Sequence, residues 1–250
     1  MIHSFLLIGQ SNMAGRGYIE DAVEIDTSRI WVLRNGRWQR HYRPVNGDRP
    51  FSGVCLAESF AAEYAKTYDV DVGLIPCADG GTRLEQWQVG SILYDHAVAQ
   101  ARLAQRTSTI AGVLWHQGEG DCAVNLYSTY AKRFKPMLDG LRNDLSLHDI
   151  PFLIGGLGDF LPKCPHDANL VNYHLLNNVF EQISTENTCV GYVSAEGLTA
   201  NPDQLHFNAA SLHEFGLRYF EVYQKYRNGN KIFESEHNDD ITNRTAMESL

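Results

Sequence analysis

The sequence is short of positive charge. It carries 21 Lys and Arg against 30 Asp and Glu in 250 residues, a formal net charge of −9. That balance disfavours nonspecific binding to nucleic acid or to an anionic membrane surface, both of which want a basic face, and neither is expected as a partner. No apolar run approaches the ~20 residues of a membrane-spanning helix. Five cysteines (Cys55, Cys77, Cys122, Cys164, Cys189) are dispersed, odd in number and without a CxxC pair, so they read as reduced thiols and not as a disulfide framework. The start, Met1-Ile2-His3-Ser4, passes directly into an apolar run, with no basic region or cleavage site before it. A cytoplasmic location is the expectation, although a secreted protein trimmed of its leader would read the same.

What remains is an ordinary globular composition, with 44% hydrophobic and 20% charged residues. Short apolar runs end in glycine or polar loops and alternate with helical periodicity. Residues 4–9, 71–76, 110–115, 151–156 and 190–194 read as strands. Residues 54–68, 93–106, 126–145, 170–185 and 208–227 read as helices. In the first helix Leu56, Phe60, Ala61, Tyr64 and Tyr68 recur at helical spacing; in the last, Leu212, Phe215, Tyr219, Phe220 and Tyr223 do. Five strands alternating with helices predict a three-layer αβα sandwich around a five-stranded parallel sheet. Asn35-Gly36 between two alternating segments predicts a β-hairpin standing apart from that sheet. The domain is expected to span 1–227. The polar segment 228–250 reads as a mobile tail.

In such sheets ligands bind beyond the carboxyl ends of the strands. The reactive residue types collect there. After the first strand comes Gly9-Gln10-Ser11-Asn12-Met13-Ala14-Gly15-Arg16-Gly17, which places Ser11 on a tight strand-to-helix turn. A serine hydroxyl is a weak nucleophile until a base takes its proton, and Ser11 reads equally well as a helix N-cap. A base with an acid at fixed spacing occurs in Asp203-Gln204-Leu205-His206, where an aspartate one turn away holds an imidazole and stabilises its cation. Asp203 or Asn208 as a cap on the last helix is the alternative. Cys77-Ala78-Asp79-Gly80-Gly81-Thr82-Arg83 presents paired glycines, which admit close backbone approach but usually mark only a turn. Trp115-His116-Gln117-Gly118-Glu119-Gly120-Asp121-Cys122 offers Gln117 as an amide donor, with Glu119 and Asp121 to brace the loop or to orient Arg16 or His206. The spacing of His116, Glu119 and Cys122 matches no zinc pattern, and His116 reads as a hydrogen-bonded structural residue. Trp87, Trp115, Phe160 and Phe207 lie near these loops, either as sugar-stacking surfaces or as core.

The phrases GQSNMAGRG, LIPCADGGT, WHQGEGD and DQLHFN, in that order and each after a predicted strand, resemble the SGNH-hydrolase superfamily, in its branch of carbohydrate and sialate O-acetylesterases. The resemblance spans Ile2 to Tyr226. It implies Ser11 as nucleophile, with Asp203 and His206 as acid and base. It implies an oxyanion hole from Ser11, from Gly80 or Gly81, and from Gln117, with Gln10, Arg16 and Glu119 in support. Gln117 stands where the wider superfamily has Asn, and Gln10 where it has the Asp of GDS. Arg83 stands where the branch often has a small residue. The resemblance further implies no metal, no organic cofactor, and an acetylated carbohydrate as substrate. An anionic sugar would need pairing from Arg16, Arg49 or Arg83. The competing readings are a lipase or thioesterase on the same scaffold, a carbohydrate-binding protein that has lost catalysis, and an interaction role for the acidic tail. The sequence leaves the oligomeric state open.

Overall fold

Each apolar run becomes a strand, because a strand buried on both faces needs an uninterrupted apolar sequence. In the computed structural model, which describes residues 2–227, the strands are β1 (Ile2–Gly9), β2 (Ile30–Arg34), β3 (Arg37–Arg40), β4 (Asp71–Pro76), β5 (Ser108–His116), β6 (Phe152–Gly155) and β7 (Val190–Val193). They form one sheet in the order β3-β2-β4-β1-β5-β6-β7. The five predicted strands are all parallel. The sheet nevertheless has seven strands, because the hairpin joins it: β2 pairs in parallel with β4 through Ile30↔Val72 and Val32↔Leu74, and β3 returns antiparallel. Ile30 and Val32 are fully buried, so leaving the hairpin apart would have exposed them. Asn35 and Gly36 both have positive φ, as the two-residue turn requires. The tail 228–250, expected to be mobile, lies outside the described residues.

The helices are α1 (Ser11–Ala14), α2 (Ala57–Tyr68), α3 (Ile92–Ala104), α4 (Val124–Tyr127), α5 (Tyr130–Leu145), α6 (Tyr173–Glu186) and α7 (Ala209–Arg227). Successive residues of a strand face opposite sides of a sheet. Trp115 of β5 packs edge-on against Phe134 of α5, and His116 packs against Phe215 of α7. The sheet is therefore covered on both faces. α7 lies beside α2, where Phe5, Phe60, Tyr64 and Tyr223 form an edge-to-face aromatic cluster. The apolar stripe of α7 is buried at Leu212, Phe215, Tyr219, Phe220 and Tyr223. Its tyrosines also donate to carbonyls of β5. β5 shifts register against β1 between Ser4 and Phe5, and Tyr223 Oη donates to the oxygen of the extra residue, Ala111 (3.1 Å). Tyr219 Oη donates to Trp115 O (2.8 Å).

Among the described residues the five cysteines are free thiols, and no helix is long and apolar enough to cross a membrane.

Candidate active site

The end of β1 is drawn tightly against the end of β5. Gln10 N–H donates to His116 O (2.8 Å), and a Cβ on Gly9, whose φ is +129°, would stand 2.1 Å from that oxygen. Only glycine fits there. The chain then turns into α1, and Gly15 N–H closes the single turn onto Ser11 O (2.8 Å). Ser11 is thereby held at the carboxyl edge of the sheet, 5% exposed.

Across the edge, the loop between β7 and α7 brings in the imidazole. His206 Nε2 lies 3.0 Å from Ser11 Oγ, and His206 Nδ1 lies 2.7 Å from Asp203 Oδ2. The other carboxyl oxygen of Asp203 accepts the N–H groups of Leu205 (2.9 Å) and His206 (3.0 Å). Burial works against ionisation of Asp203. The hydrogen bonds from the His206 and Leu205 amides and from the imidazole outweigh it, holding the carboxyl below its usual value. An ionised carboxylate only accepts, so the imidazole proton resides on Nδ1 and the lone pair of Nε2 faces the Ser11 hydroxyl. The three groups form a hydroxyl–imidazole–carboxylate line of the kind that transfers acyl groups.

Asn12, to which the sequence reading gave no role, fixes this line. Its Oδ1 accepts Phe207 N–H (3.1 Å), while its Nδ2 donates to Leu205 O (3.3 Å) and to Glu119 Oε1 (2.5 Å). The residue after Ser11 thus grips the chain on both sides of His206. Glu119, on the β5 loop, accepts the Asn12 bond through Oε1. Its Oε2 and His116 Nδ1 are buried without a hydrogen-bond partner among the described residues. His116 Nε2 meets Gly156 O (3.1 Å), and burial pushes this imidazole down, with only partial compensation from Glu119. Among the described residues no group of three His, Cys, Asp or Glu side chains is arranged to hold a metal.

The remaining expected donors are engaged within the protein. Gly80 N–H donates to Asp48 Oδ2 (2.9 Å). Gln117 Nε2 donates to Asp121 Oδ2 (2.7 Å) and Thr82 O (3.2 Å), and Gln117 Oε1 accepts the Tyr130 hydroxyl (2.8 Å). In this arrangement neither Gly80 nor Gln117 is poised to donate to a bound oxygen; Gln117 fastens the Thr82 turn to the β5 loop. Gly81 is exposed, and its N–H makes no hydrogen bond among the described residues. Gln10 Oε1 accepts Gly118 N–H (3.3 Å), so Gln10 also braces the β5 loop.

Arg16 forms a two-pronged pair with Asp48 (3.1 and 2.7 Å), both side chains 4% exposed. Burial raises the Asp48 carboxyl, but the bonds from Arg16, Ser52 and Gly80 prevail and leave it below its ordinary value. Asp48 lies in a Gly- and Pro-bearing charged segment, Asn46-Gly47-Asp48-Arg49-Pro50, a pattern that reads as solvated loop. Only its long-range contacts with Arg16 and Gly80 show its place. Arg49 pairs with Asp79 (2.9 Å). Trp87, Trp115, Phe160 and Phe207 are at most 6% exposed, so all four are core. A cavity of about 440 Å³ lies away from the Ser11 line, between α2, α7 and the segment before β2, lined by Ile25, Arg29, Lys66 and His213 among others.

Most of the chain resembles known proteins. The family described as carbohydrate esterase, sialic acid-specific acetylesterase, matches residues 1–225. A probable carbohydrate esterase of Arabidopsis thaliana is 27% identical over 245 residues, covering 88% of this chain and 89% of that one. A solved structure of an Arabidopsis thaliana protein superposes with a TM-score of 0.77 at 25% identity, over 89% of this chain and 98% of that chain. The structure of NanS gives 0.71 at 17% identity, over 92% and 98%, a likeness of fold.

Proposed function

We propose that this chain, which belongs to the carbohydrate esterase family of sialic acid-specific acetylesterases, removes O-acetyl groups from carbohydrates through an acyl-enzyme on Ser11. The protein is a carboxylic ester hydrolase acting on carbohydrate esters. The observation that carries the mechanism is the line Ser11 Oγ–His206 Nε2–His206 Nδ1–Asp203 Oδ2, at 3.0 and 2.7 Å.

In the first step His206 Nε2 takes the Ser11 proton as Oγ attacks the ester carbonyl. The negative charge that develops on the carbonyl oxygen needs donors already in place, and losing one typically costs ~3 kcal/mol of transition-state stabilisation. We assign that role to the backbone N–H groups of Ser11 and Gly81, since Gly80 and Gln117 spend their protons elsewhere. Collapse of the tetrahedral intermediate expels the sugar hydroxyl, which takes its proton from His206. Water then attacks the acetyl-Ser11 ester with His206 again as base, releasing acetate. Asp203 keeps the imidazole in one tautomer and stabilises the cation formed in both steps. Nothing in this sequence of steps draws on a metal or organic cofactor.

A serine-directed fluorophosphonate tests the assignment. The wild type should be labelled once, on the peptide containing Ser11, with loss of esterase activity. Labelling elsewhere, or activity that survives full labelling, would overturn it.

A further inference from the structure

The loop between β3 and α2 is tied down at nearly every polar group. Asn46 Nδ2 donates to Ala78 O (3.0 Å), Ser52 Oγ donates to Asp48 Oδ1 (2.8 Å) and accepts Arg49 N–H (3.1 Å), and Gly53 N–H donates to Gly15 O (3.1 Å). Asp48 and Arg49 add their bonds to Arg16, Gly80 and Asp79. From this anchored loop two aromatic side chains, Tyr42 and Phe51, stand out into solvent. Phe51 is 69% exposed, more than any other aromatic among the described residues.

Its position relative to Ser11 follows from Arg16. The Arg16 guanidinium carbon lies 5.3 Å from the Phe51 ring centroid, over one face of the ring. The same guanidinium reaches to 2.5 Å from where a Cβ on Gly80 would stand, a point only 3.5 Å from Ser11 Cβ. Arg16 O accepts from Asn201 Nδ2 (2.9 Å), and Asn201 N–H donates to His206 O (2.7 Å). Phe51 therefore borders the rim between Gly80 and the His206 loop, with one ring face backed by Arg16 and most of the side chain exposed to solvent. Arg16 and Arg49 are each paired with a carboxylate, and beside these ion pairs Phe51 presents an apolar ring.

A pyranose presents a face of C–H groups that suits the negative face of an aromatic ring, which carries an apolar body and a quadrupole. We infer that Phe51 is the stacking face of a subsite for a pyranose ring of the substrate, and that it confers preference for acetylated sugars over small acetate esters. The inference rests on the carbohydrate-esterase reading. An anchored loop holds the ring in place before binding, so little ordering is required when the sugar arrives.

The test compares acetate release from an acetylated xylo-oligosaccharide and from ethyl acetate, which is too small to span from Ser11 to the ring. Phe51→Ala should raise KM for the oligosaccharide about tenfold with kcat unchanged, the size of one aromatic contact. Its kcat/KM on ethyl acetate should stay within about twofold of wild type, and Phe51→Trp should restore the oligosaccharide KM. Unchanged oligosaccharide KM in Phe51→Ala, or equal losses on both substrates, would overturn the subsite and leave the esterase reading intact. A wild type that cleaves ethyl acetate but releases no acetate from the xylo-oligosaccharide, from acetylated mannan or from O-acetylated sialic acid would overturn the carbohydrate reading and the subsite with it.

Discussion

Replacing Asn12 by alanine should damage both stability and catalysis, by an amount the structure sets. The side chain is 1% exposed and satisfies Phe207 N–H, Leu205 O and Glu119 Oε1. Its loss strands the Phe207 amide. It also removes the hydrogen bond to a Glu119 carboxyl group whose other oxygen is already unpartnered. Two buried groups left unsatisfied at roughly 1–3 kcal/mol each give about 4 kcal/mol. At about 2–4 °C per kcal/mol for a domain of this size, the melting temperature should fall by roughly 8–16 °C. In a Glu119→Ala background the orphan carboxyl group is absent, so Asn12→Ala should cost only about 2 kcal/mol there, a coupling of about 2 kcal/mol. Urea unfolding of the four proteins measures the cycle. Because both chain segments flanking His206 are released, kcat on a soluble acetate ester should fall by more than about tenfold under conditions where the variant remains folded. A cost below about 1 kcal/mol, or the same cost with and without Glu119, would refute the view that Asn12 and Glu119 grip the base together.

Two further outcomes follow from the charges. In Asp203→Asn the retained Oδ1 still accepts the Leu205 and His206 amides, but the new amide donates toward Nδ1 and moves the imidazole proton to Nε2, facing Ser11. kcat should fall about 10³–10⁴-fold, with little change in unfolding midpoint. His3 is held neutral by burial, with contributions from the Arg227 and N-terminal charges, its pKa lowered from 6.5 to about 4. Below its unfolded value the unfolded chain binds the extra proton, so this stability is complete above pH ~6.5 and is lost as pH falls toward ~4. The loss is about 3 kcal/mol, and His3→Gln should flatten that part of a stability–pH curve. Asp48 and Asp203, both depressed, lose their contribution only as pH falls below the ordinary carboxylate range, which separates the two windows.

How much of this was legible beforehand depends on the range of the interaction. The alternation of strands and helices is a local pattern, and β1, β4, β5, β6 and β7 appear within two residues or so of where periodicity places them. Asp203 and His206 lie one turn apart, so their pairing is also local. The hairpin was readable as a hairpin, but not its docking, since nothing within residues 30–41 encodes the exposed edge of β4. Asn12 was hidden by its neighbour: in GQSNM the hydroxyl attracts attention, and the grip on the His206 loop spans 195 residues. Asp48 and Phe51 sit in a loop whose Gly, Pro and charge suggest solvent, yet that loop forms one side of the site. The aromatics next to the motifs read as core or as stacking surfaces, and they are core: Trp115 lies near the end of a central strand, Trp87 packs on it, and Phe160 packs on Phe207.

The most direct test of the central claim is acetate release from acetylxylan, acetylated mannan and O-acetylated sialic acid by wild type and Ser11→Ala side by side. The account predicts release by the wild type from at least one of these, and loss of that release in a folded Ser11→Ala protein. Full activity in Ser11→Ala, or a wild type inert on every acetylated carbohydrate, would contradict it.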